Sequence, residues 1–130
     1  MKWKYACPHC KAVLNPNVKI ILRLRRGKRQ GLILISPRPG NYKIICDDSF
    51  GQHLKDGELS EFSCPVCNAV LTSHASRNLA ELLLLEPNGP RRIQFSRVFG
   101  EHATFILNGE KVIPYGEHAA VYDEINFFGV

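Results

Sequence analysis

The stretch CPHCKAVL at 7–14 returns as CPVCNAVL at 64–71, with six of eight positions identical. A CxxC turn aims two sulfurs at one point. Two such turns therefore supply the four ligands of a tetrahedral site, here Cys7, Cys10, Cys64 and Cys67, with 53 residues between the second and third. Four soft sulfurs select zinc or iron. The proline inside each turn fixes φ, and the amides that follow it can point at thiolate sulfur and stabilise its charge. After the second cysteine of each pair stand Lys11 and Asn68. Where φ is positive at such a position, asparagine tolerates it, whereas lysine costs about 1–2 kcal/mol.

Two CPxC knuckles, each beside a short strand, resemble the zinc ribbon, a group of small β domains built on one four-cysteine zinc site. The resemblance covers 1 to about 75, is specific at the four cysteines, and implies zinc as the bound ion. Zinc ribbons share no single function, so the likeness implies a fold and a cofactor only. A rubredoxin-like iron site also uses two CPxC turns. Electron transfer through iron is thus the competing reading, although rubredoxins are shorter and acidic.

Between the knuckles the chain reads as β structure. From 18 to 25, Val18, Ile20, Leu22 and Leu24 alternate with Lys19, Ile21, Arg23 and Arg25, the period of two that gives a strand one wet, basic face. GKRQG, then LILIS, PRPGN and YKIIC extend this into a three-stranded meander over 18–46. Residues 47–58 are polar and read as a surface loop, and LSEFSC leads as a strand into the second knuckle. The meander is thus an insertion whose two ends are clamped by the metal. Cys46, ending YKIIC, reads as a small apolar strand residue rather than a fifth ligand. His9, inside the first knuckle, is expected to face solvent.

Residues 76–130 read as a second layer of β-hairpins packed on the first region, making one domain. LAELLLLEP and RRIQFSRVF flank a PNGP turn, which favours a hairpin over a helix. ATFIL and EKVIPYG flank Asn108-Gly109, the preferred pair for a tight hairpin turn, and Pro114 confines its strand to a sheet edge. The aromatic tail VYDEINFFGV is expected to pack back onto the body. FGEHA at 99–103 and YGEHA at 115–119 form a second repeat with possible ligands or acid–base groups. With a turn at 108 and 109, opposed positions sum to 217, which pairs His102 with Tyr115 and His118 with Phe99. The two histidines are then kept apart, and the repeat reads as two similar strand-to-turn corners.

The fold class expected is therefore mainly β, a zinc ribbon with an inserted meander followed by a layer of hairpins. At 130 residues and 45% apolar, the chain can bury one core. No apolar run approaches a membrane span; those at 32–35 and 82–85 stop after four residues. The start shows no apolar segment and cleavage site of an export signal, so the expected compartment is cytoplasmic, where cysteines serve as metal ligands rather than disulfides.

The net charge of +5 is unevenly divided: 1–45 hold eleven basic side chains and no acid, whereas 46–130 hold six against all twelve acids. Only the first third looks built for polyanions. Lys19, Arg23, Arg25, Arg26, Lys28, Arg29 and Arg38 are the candidate phosphate contacts, with Trp3, Tyr5 and Tyr42 as candidate stacking groups. No hydrolase elbow, P-loop, HExxH or dinucleotide fingerprint occurs, so a non-enzymatic role is expected. The reading is a zinc-bound interaction module for nucleic acid or a ribonucleoprotein. The alternative is a protein partner or a homodimer joining the basic third of one copy to the acidic part of another.

Overall fold

The computed structural model describes residues 3–46, 55–109 and 111–127. Its strands are β1 Lys4–Ala6, β2 Ile20–Arg26, β3 Arg29–Ile35, β4 Ile44–Cys46, β5 Glu61–Ser63, β6 Leu79–Leu85, β7 Arg91–Ser96, β8 Thr104–Asn108 and β9 Lys111–Tyr115, followed by one 3₁₀ turn, Ala119–Tyr122. They form two antiparallel sheets, a four-stranded one ordered β4-β3-β2-β5 and a five-stranded one ordered β1-β6-β7-β8-β9. The protein is mainly β, as its alternating patterns predict.

The meander expected over 18–46 is present as β2, β3 and β4. The period of two in β2 does what it implies: Ile20, Leu22 and Leu24 are buried, while Arg25 is exposed. Those residues meet Tyr5, Leu82, Leu84, Ile93 and Ile106 of the other sheet in one core. Each fully buried leucine there contributes about 2 kcal/mol through apolar burial.

LAELLLL is a strand because both its faces are covered. Ala80, Leu82 and Leu84 face the four-stranded sheet, and Leu79 belongs to a second cluster with Phe105, Leu107, Ala119, Tyr122 and Phe127. That cluster lies on the far side of the five-stranded sheet and is closed by the chain's own end, as the aromatic tail suggested for the part described here.

β1 pairs with β6 (Tyr5 opposite Leu84) and so joins the five-stranded sheet. A three-residue strand carries too little pattern to show this beforehand. The β8–β9 register differs from the one expected: Thr104 faces Tyr115 and Asn108 faces Lys111, so opposed positions sum to 219 and Asn108 lies in the strand. Thr104, Phe105, Ile106 and Leu107 are all buried, leaving no alternation to mark the register. Pro114 lies on an edge strand, as expected. Of the surface loop read at 47–58, 47–54 lie outside the described residues, as does His53.

Candidate metal centre

The sequence repeat is a structural repeat. In the first knuckle Lys11 N donates to Cys7 O (3.0 Å), Cys7 N to Ala12 O (3.0 Å) and Leu14 N to Tyr5 O (2.9 Å). In the second, Asn68 N donates to Cys64 O (2.9 Å), Cys64 N to Ala69 O (3.0 Å) and Leu71 N to Phe62 O (2.9 Å). Lys11 and Asn68 hold φ values of 66° and 64°, positive at both positions. Leu14 and Leu71 are buried and anchor the two turns in the core. The buried Asn15 accepts the Tyr5 N–H at 2.8 Å and donates to Trp3 O at 2.7 Å, fastening β1 beside the first knuckle.

Four sulfurs converge. Cys7 Sγ lies 3.8 Å from Cys67 Sγ, Cys10 Sγ lies 3.7 Å from Cys64 Sγ, and all four lie within 4.8 Å of one another. A tetrahedral ion with bonds of about 2.3 Å requires S···S edges of about 3.8 Å. Amides are already aimed at the inner sulfurs: His9 N and Cys10 N at Cys7 Sγ (3.3 and 3.4 Å), Val66 N and Cys67 N at Cys64 Sγ (3.3 and 3.5 Å). Such donors offset the negative charge of a tetrathiolate site. Without an ion, burial raises the Cys7 thiol and pushes the Cys64 thiol up to about 12, whereas the Ala12 amide lowers that of Cys10. Cys7 and Cys64 are buried, while Cys10 and Cys67 are exposed. The donor set suits a metal ion, and four thiolates accept zinc and iron alike.

Cys46 takes no part in this cluster. It is half-buried on β4 opposite Ile33 and packs against the core, as a strand cysteine should. His9 is exposed, as expected.

The corrected hairpin register has a consequence for the second repeat. Just beyond the Thr104–Tyr115 pair, His102 Nδ1 lies 2.9 Å from Glu117 Oε1. The His102 amide donates to His118 Nδ1 at 2.9 Å, and the His118 amide donates to His102 O at 3.0 Å. The separation of the histidines expected from the sequence is therefore overturned. Tyr42 stacks on His102, with ring centroids 4.6 Å apart and planes 5° from parallel. His102, Glu117 and His118 carry donor atoms within 4.8 Å of one another. Because His118 Nδ1 accepts an amide proton, its neutral ring carries hydrogen on Nε2 and has no spare lone pair in this arrangement. The trio is a hydrogen-bonded corner that binds an ion only by surrendering that bond.

The basic candidates do not form one surface. Arg25, Lys28 and Arg29 are exposed at the β2–β3 tip, and Lys19 and Arg23 are half-buried. Arg26 pairs with Glu58 and also donates to Leu59 O at 2.6 Å. Arg38 lies beyond β3 at the opposite end of the sheet, so it cannot act with the tip. Two proposed stacking groups are already engaged within the fold: Tyr5 is buried in the core, and the half-buried Tyr42 ring is stacked on His102 while its hydroxyl bonds Thr104 Oγ1 at 2.9 Å. Sequence reasoning lost both because a tyrosine's period does not say which partner its ring meets.

No helix among the described residues is long and apolar enough to cross a membrane. No protein-family model matches this chain, and neither a curated protein nor a solved structure shows significant similarity to it.

Proposed function

We propose that the protein is a non-enzymatic binding module, stapled by one zinc ion at Cys7, Cys10, Cys64 and Cys67, that contacts nucleic acid through its β2–β3 hairpin. The zinc supplies structure: its ligands follow β1 and β5, strands of different sheets, so one ion joins both layers. The contact is carried by one observation. Arg25, Lys28 and Arg29 stand exposed at the tip and make no ion pair among the described residues. Three cations at a hairpin tip suit contact with phosphates, which positions the protein without reading sequence.

The test is fluorescence anisotropy of a labelled duplex against salt. Three phosphate contacts give a fall in log affinity of roughly 2.7 per decade of salt, and the triple variant R25A/K28A/R29A abolishes that slope. A salt-independent affinity, or a triple variant that binds unchanged, removes nucleic acid as the partner. Elemental analysis with a visible spectrum separates zinc from a rubredoxin-like iron centre, since only the iron site absorbs strongly in the visible.

A second reading is favoured by the outer face of the four-stranded sheet. Ile21, Leu34 and Ile45 lie side by side across three strands, next to Arg23 opposite Leu32, and Leu32 and Ile45 are 55% and 52% exposed. An apolar patch edged by arginine fits an acidic protein surface or a second copy. A dimer whose mass falls in high salt, with no nucleic-acid affinity, would select it.

A further inference from the structure

Between the two sheets lies a cavity of about 260 Å³. Its floor is apolar, with Leu24, Ile33 and Phe62 from one sheet and Leu82, Ile93 and Phe95 from the other. Protein interiors leave few voids larger than a water molecule, and an apolar void stays dry. An apolar cavity of about 150 Å³ admits a benzene-sized molecule, so one of about 260 Å³ admits an aliphatic chain of about eight carbons.

The charged groups on the lining have one predominant sign: Arg38, Lys43 and Arg97, with His102 beside them and Glu101 as the opposing acid. Glu101 is already engaged, since its Oε1 accepts from Ser96 Oγ at 2.7 Å and from the Tyr122 hydroxyl. His102 faces Glu117. Arg97 is half-buried and donates to the carbonyls of Ser60 (2.8 Å) and Arg77, neutral groups that leave its charge unmatched at contact range. The nearby Glu61 acts on it only through space, and Arg77 opposes that effect. Arg38 and Lys43 are exposed and make no ion pair among the described residues. A second, shallower hollow formed by 38–43 and His102 adjoins the cavity, and it too is basic.

We propose that the cavity binds a medium-chain aliphatic carboxylate, its chain between the two sheets and its headgroup drawn to the excess of basic side chains on the lining, Arg38, Lys43 and Arg97. A guanidinium lacking a carboxylate partner is matched by a carboxylate ligand, and charge-assisted hydrogen bonds are the strong ones. The binding is independent of the hairpin tip and of any nucleic acid. Failure of the duplex experiment therefore leaves it standing, and the reverse also holds.

The test uses the full-length, metal-loaded protein and four probes read by isothermal titration and by amide chemical shifts: octanoate, methyl octanoate, octylamine and acetate. Octanoate is expected to bind one to one, at least about tenfold tighter than the ester or the amine, because those lack the anionic group. Acetate is expected not to saturate, and shifts caused by octanoate should fall on Ile93, Phe95 and Ile33 rather than on the hairpin tip. The exposed pair R38A/K43A, which leaves the core untouched, and the single variant R97Q should each weaken octanoate while leaving methyl octanoate unchanged. Equal binding of octanoate and octylamine, absence of saturable octanoate binding, or undiminished affinity in both variants would overturn the proposal.

Discussion

Cys10 Sγ lies 3.7 Å from Cys64 Sγ although the strands that lead to them belong to different sheets: β1 is paired to β6 in one, and β5 to β2 in the other. An ion held there is a cross-link between layers as well as between distant parts of the chain. An ion bound by the folded chain and not by the unfolded one adds its binding free energy to folding. Removing the metal with a chelator, or replacing one exposed ligand in C67S, is expected to lower stability by several kcal/mol, read as a fall in the denaturation midpoint. Because burial keeps the Cys7 and Cys64 thiols protonated without an ion, metal binding should also release protons, and affinity should drop as pH falls. Titrations in buffers of different ionisation enthalpy count those protons; a count of zero contradicts a thiolate site.

Lys11 holds φ at 66° where Asn68 holds the matching position at 64°. Replacing Lys11 by glycine removes the left-handed penalty and adds some unfolded-state entropy, for a net gain of about 0.5–1 kcal/mol. Lys11→Val, with a branched Cβ, should lose more than about 1 kcal/mol. Denaturant midpoints of the metal-loaded variants decide, and a stabilised valine variant would refute the strain.

Gly116 has φ of 97°, and a Cβ there would strike the His102 carbonyl and come within 2.5 Å of the Tyr42 hydroxyl. The carbonyl is backbone and cannot swing away. Gly116→Ala is therefore expected to cost more than about 2 kcal/mol and to loosen Tyr42 from Thr104 and Tyr115. Gly109, with nothing within 4 Å of its would-be Cβ, should tolerate alanine with only the backbone cost, about 1 kcal/mol. Comparable melting temperatures for the two variants would contradict this contrast.

Tyr122 is buried and donates to Glu101 Oε1; burial, then that acidic partner, pushes its phenol up to about 12. The folded state holds the proton more tightly than the unfolded chain, whose phenol titrates near 10. The stabilising contribution is thus complete below about pH 10 and is lost as pH rises toward 12. Tyr5 and Tyr42 are raised in the same direction by burial and add to the slope. Tyr122→Phe should flatten the fall in stability over that interval, measured by urea unfolding at several pH values; an unchanged slope would exclude Tyr122 as a source.

The knuckle repeat and the strand periodicity were legible because each rests on spacing within a short window. Cys7 and Cys10, or Ile20, Leu22 and Leu24, need only a turn or a pleat to point the same way. The closeness of His102 to His118 was not legible for the opposite reason. It depends on which residues of β8 and β9 stand opposite each other, and the attractive Asn108-Gly109 pair pointed to the wrong register. The deciding contacts come from elsewhere: the Tyr42 hydroxyl, sent from the meander, bonds Thr104 Oγ1 and Tyr115 O, the two members of one opposed pair.

The chain alone settles its β class, its meander and its four converging sulfurs, because these follow from residue periodicity and from the reach of a tight turn. Only tertiary structure decides that β1 leaves its neighbours for the other sheet, that Arg26 is spent on Glu58 and Tyr5 on the core, and that a cavity whose charged lining groups are mostly basic separates the layers. Each of those depends on which surfaces remain after the two sheets have packed, a property of relative placement that no local pattern encodes.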